Sequence, residues 1–122
     1  MATADFARIQ SAAACEQSLL ELRQAGLVRI DDVECAALAA AIDGITAQSV
    51  ELFGSRTDPG RHGGDIDLLI HSAAPRFETA RQVSTRFFLG CEERIDVVVL
   101  DPENLTVAED AFLRSLHRVS IA

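Results

Sequence analysis

A chain of 122 residues, 48% hydrophobic and 25% charged, has room for one domain and one core, which excludes a disordered, fibrous or multidomain protein. Its formal net charge of −8 makes a field that repels phosphate backbones, so a long nucleic acid is disfavoured as partner and a metal-bound nucleotide or a protein is favoured. All 11 basic residues are arginines, and tyrosine and tryptophan are missing, which removes lysine-adduct chemistry and any aromatic platform for single strands.

From Ala4 to about Ala25, apolar residues including Phe6, Ile9, Cys15, Leu19 and Leu22 recur at helical spacing, and Gly26 stands where a helix stops. Asp31 and Asp32 can cap a second helix with Val33, Ala37, Leu38, Ala41 and Ile42 on its apolar side, ending near Gly44. The pattern then changes to short runs rich in branched residues, Ser49–Phe53, Ile66–His71 and Ile95–Leu100, each of typical strand length. Between the second and third, Arg76–Leu89 reads as a crossover helix that ends at Gly90, and Thr106–His117 reads as a last helix. These elements predict a single α/β domain: a small mixed sheet with helices covering one face, residues 46–122 forming the core unit and residues 1–45 a helical extension. The N-terminus lacks a basic region followed by an apolar run, and no stretch of about 18 apolar residues occurs, so the expectation is a cytoplasmic protein without a membrane span. Cys15, Cys35 and Cys91 are widely spaced and match no ligand or disulfide pattern, which predicts three reduced thiols.

The glycine-rich stretch Ser55–Gly64 joins the first two strands, and long loops in compact domains tend to be functional. It leads into Asp65-Ile66-Asp67. Residues two apart on a strand share a face, so Asp65 and Asp67 project together. Two adjacent carboxylates repel unless a proton or a cation neutralises them, and Mg2+ is the natural occupant, because it takes oxygen ligands and is held by one or two carboxylates with substrate phosphates. Asp96 opens the third, otherwise apolar strand. If that strand lies beside Ile66–His71, Asp96 completes the site; the alternatives are an ion pair with Arg94 or a strand-end cap. Gly54-Ser55, at the end of the first strand, can let a phosphate approach the backbone. An EF-hand-like cation loop is excluded, since its ligands fall within about twelve residues.

Gly54-Ser55, nine intervening residues, then Asp65-Ile66-Asp67-Leu68, with Ile95-Asp96-Val97 further on, resembles the signature of the polymerase-beta-like nucleotidyltransferases. The size resembles that of their minimal members, which are often encoded beside HEPN-domain toxins. The resemblance covers about Val50 to Val99, with a weaker echo in the final helix, and leaves the first 45 or so residues uncovered. It departs from the family's pattern in the loop, which reads Arg56-Thr57-Asp58-Pro59-Gly60, and at Gly64, where relatives have a serine.

The resemblance implies the nucleotidyltransferase fold and transfer of a nucleoside monophosphate, AMP from ATP or another NTP, to an acceptor hydroxyl. Asp65, Asp67 and Asp96 are then the catalytic residues and the ligands of a two-metal Mg2+ site, and Gly54, Ser55 and Arg56 contact substrate, with Arg56 or Arg61 supplying positive charge. It also implies a partner protein such as a HEPN-type toxin, with the chain acting as an antitoxin. Because tyrosine is absent here, a tyrosine acceptor belongs to another chain. The alternative is a domain of the same fold, weakly active or inactive, that acts by contact with its partner. His62 lies in the Ser55–Gly64 loop, where it either touches phosphate or stands idle in solvent; His71 and His117 have no companion at metal-ligand spacing and receive no role.

Overall fold

The computed structural model describes residues 11–122. The first helix, α1, runs Ala12–Gln24, with the Ser11 hydroxyl accepting from the Ala14 amide at its start; the part of the expected helix at residues 4–10 lies outside the described residues. Helix α2, Asp32–Ile42, opens on a complete capping box in which Asp31 accepts from the Glu34 amide and Glu34 accepts from the Asp31 amide. The strands β1 (Ser49–Phe53), β2 (Ile66–His71) and β3 (Ile95–Leu100) occupy the ranges expected from the sequence. Helix α3, Arg76–Gly90, connects β2 to β3.

The last element differs from expectation. Helix α4 spans Val107–Ser115, and the chain then straightens into a short strand β4, Arg118–Ser120. The sheet order is β3-β2-β1-β4, with β2 and β3 parallel and the other two pairs antiparallel. The parallel pair needs a crossover, which α3 supplies.

Alternation along the strands sorts the sheet into two faces. Val50, Leu52, Ile66, Leu68, Ile70 and Val99 pack with Cys15 and Leu19 of α1, with Cys35, Leu38 and Ile42 of α2 and with Val83 and Phe87 of α3 in one buried cluster. Residues 12–45 thus share their core with the sheet. The opposite face carries a smaller cluster of Phe53, Leu69, Leu100 and Leu113, joined by Val98, Leu105 and Leu116. Helices therefore lie on both faces, not on one as the sequence suggests. Helix α4 is only nine residues long and covers part of its face, and that uncovered area includes the strand ends where Asp67 and Asp96 lie.

Candidate functional site

Three elements converge at one end of this partly open face. Strand β1 ends at Phe53, and the chain turns into a 3-10 helix, Gly54–Thr57, secured by a hydrogen bond from the Thr57 hydroxyl to the Gly54 carbonyl at 2.7 Å. Phe53 pairs with Asp67 on β2, and Asp67 pairs with Asp96 on β3. Neighbouring strands are about 5 Å apart, so the parallel register sets Asp67 and Asp96 side by side on the same face. Asp65 stands just before β2.

The electrostatics centre on Asp67. Partial burial pushes its carboxyl above the ordinary range, and the charges of Asp96 and Asp65 push it further in the same direction. No described residue donates a hydrogen bond to any of these three carboxylates, and Asp96 makes no ion pair with Arg94. The alternatives of an ion pair with Arg94 and a strand-end cap are therefore not what holds Asp96. Among the described residues, no group of three or more His, Cys, Asp and Glu side chains stands close enough to hold a metal ion. Asp67 and Asp96 form an adjacent pair, with Asp65 acting on it from the strand entrance rather than closing a three-carboxylate cage.

Two glycines keep this region clear. Gly54 has a φ of +74°, and a Cβ there would collide with the Asp67 carboxylate. Gly64 has a φ of +87°, and a Cβ there would collide with the Ser55 hydroxyl. The left-handed backbone favours glycine at both positions, and any Cβ there would displace the Asp67 carboxylate or the Ser55 hydroxyl. Gly64 stands where the resembled family has serine; here its left-handed backbone strains any side chain, and a Cβ would displace the Ser55 hydroxyl.

Arg56 is placed differently from the expected substrate contact. Its guanidinium is buried and forms a two-pronged pair with Glu34 of α2 at 2.9 and 2.8 Å, and it also donates to the carbonyls of Gly64 and Arg29. Four of its five N–H groups are engaged within the fold. Arg29, in the α1–α2 connection, donates to the carbonyls of Ser55, Asp58 and Gly63. Arg29 and Glu34 hold the loop between Gly54 and Gly64 from outside it, and Arg56 ties it down from within. Arg29 and Glu34 had no signal as site residues, because the contacts span 22 to 34 positions.

Ser55, Thr57, Asp58, Arg61 and His117 line a surface cleft of about 500 Å3 beside Gly54. Arg61 is exposed, and its guanidinium has no partner among the described residues. His62, in the same loop, is exposed. His71 is buried and pairs with Glu51, which also accepts from Arg118.

The fold and this site define an α/β protein with a four-stranded mixed sheet, a 3-10 turn after β1 and an aspartate pair across β2 and β3. No protein-family model and no curated protein matches the chain. Among the described residues no helix is long and apolar enough to cross a membrane.

Proposed function

We propose that the chain is a Mg2+-dependent nucleotidyltransferase that moves a nucleoside monophosphate, AMP in the first instance, from an NTP to a hydroxyl of a partner protein. The observation that carries this reading is the β2–β3 register that pairs Asp67 with Asp96 while the Asp67 carboxyl is raised by burial and by both neighbouring aspartates. An arrangement of unpaired acids costs stability unless a cation neutralises it.

The donor set fits Mg2+. It consists of hard carboxylate oxygens without protein donors, and Mg2+ commonly completes its octahedron with water and substrate phosphates. Two carboxylates at one point therefore suffice, with Asp65 near enough to add to the charge. Held by Asp67 and Asp96, Mg2+ would supply polarisation of the α-phosphate and a lowered pKa for an attacking hydroxyl. Asp67 and Asp96 hold negative charge at a fixed place for it. Gly54 leaves room for that charge beside the turn, and the Ser55 hydroxyl, unengaged among the described residues, offers a donor to phosphate oxygen. The Glu34–Arg56 pair and Arg29 keep the turn in position, so that little rearrangement is needed on binding.

A second reading is favoured by one observation. Arg56 is committed to Glu34, which leaves the phosphate loop short of positive charge and fits a domain that acts mainly by contact with its partner. Calorimetric titration of the purified chain with ATP, with and without Mg2+, separates the two. Mg2+-dependent binding that is lost in Asp67→Asn supports the enzyme, and its absence in the wild type refutes it.

A further inference from the structure

His117 lies sixty positions from Thr57, yet its Nδ1 is 3.2 Å from the Thr57 hydroxyl oxygen. That hydroxyl has a single hydrogen, which it donates to the Gly54 carbonyl at 2.7 Å. The oxygen can therefore only accept from His117, so Nδ1 carries a proton and the tautomer is set. Nε2 has no partner among the described residues, and the ring lines the cleft with Ser55 and Arg61. The cleft thus gathers a free hydroxyl, a free guanidinium and an imidazole that becomes a second donor when it gains a proton. The same histidine braces the Gly54 turn through Thr57.

We infer that His117 is a positioning residue for the nucleotide's phosphate tail, its Nε2 donating to a non-bridging phosphate oxygen that Ser55 and Arg61 also contact. This rests on the nucleotidyltransferase reading and extends it to a residue outside the resembled motif. Asp58 works against anion binding from the same cleft, but its Oδ1 accepts from the Gly60 amide. Of the other charges near the ring, Arg118 is paired with Glu51, and Arg61, without a side-chain partner among the described residues, can complement the tail.

The test measures inorganic tripolyphosphate, Mg2+-ATP and AMP binding by calorimetry at pH 6, in the full chain and in His117→Gln, Thr57→Val and Thr57→Ser. A charge-assisted hydrogen bond lost from such a site weakens binding by about tenfold. His117→Gln is expected to lose about that factor for tripolyphosphate and Mg2+-ATP while AMP is unchanged. Thr57→Val behaves like His117→Gln, and Thr57→Ser, which keeps the hydroxyl, restores binding. Equal tripolyphosphate affinity in wild type and His117→Gln overturns the inference, and if Asp67→Asn still abolishes transfer, the proposed function stands without it. Conversely, a His117-dependent tripolyphosphate site in a protein whose transfer survives Asp67→Asn supports the phosphate site and overturns the function.

Discussion

Glu34 joins the helix cap of α2 to the loop that carries Ser55, and Glu34→Gln tests that connection. Glutamine keeps the side-chain length and the oxygen that accepts from the Asp31 amide, so the capping box survives. What disappears is the charge opposite Arg56. Both side chains are almost fully enclosed, at 6% and 7% exposure for Glu34 and Arg56, and breaking such a pair from one side costs about 3–5 kcal/mol because a buried charge is left uncompensated. In a domain of this size that corresponds to a fall in melting temperature of roughly 10–20 °C.

Burial alone would raise the Glu34 carboxyl, but the hydrogen bonds from Arg56 and the Asp31 amide, with the charges of Arg56 and Arg29, outweigh it and leave it below its ordinary value. A carboxylate with a depressed folded-state pKa contributes its stability above the unfolded value, about 4.3, and loses it as pH falls through the folded value. The gap between wild type and Glu34→Gln is therefore full at pH 7 and narrows only below about pH 4. Urea melts at pH 7, 5 and 3, read by far-UV circular dichroism, measure it. A loss under 1 kcal/mol at pH 7, or a gap that does not change with pH, refutes the account of how the loop is held.

Asp67→Asn abolishes Mg2+-dependent transfer yet stabilises the metal-free protein at neutral pH. Because the Asp67 carboxyl is raised by burial and then by Asp96 and Asp65, its ionisation is a penalty that is absent below the unfolded value of about 3.9 and grows as pH rises through the folded value; melts at pH 3 and pH 7 beside a turnover assay check both signs. Gly54→Ala forces a side chain onto a left-handed backbone and into the Asp67 carboxylate, so it destabilises by about 1–2 kcal/mol or more and lowers Mg2+-ATP affinity in the same titration. Burial, followed by the nearby Cys35, Glu16 and Asp43, pushes the Cys15 thiol up to about 12, and Cys35 is also buried and raised, whereas Cys91 is partly exposed. A thiol reagent at pH 8 is thus expected to label Cys91 quickly in the native state and all three only in denaturant; rapid native labelling of Cys15, mapped by mass spectrometry, contradicts the packing of α1.

Local pattern alone determined the first three strands, the crossover helix and the cap of α2, because period-two and period-3.6 burial, glycine stops and capping residues act over a few positions. The candidate acids were legible for the same reason: Asp65 and Asp67 share a strand pattern, and Asp96 interrupts an apolar run. Strand β4 was hidden, since Arg118–Ser120 is too short and too polar to carry an alternation, and its strand character comes from hydrogen bonding to β1. Without β4, nothing in the sequence could bring His117 to Thr57. The fate of Arg56 was equally hidden: as a loop residue beside Ser55 it suggests phosphate, and only packing of α2 against the sheet brings Glu34 within reach to take its charge. Which acids become neighbours was likewise a tertiary decision, for the aspartates of β2 and β3 meet only because α3 returns the chain parallel and in register, setting Asp67 against Asp96.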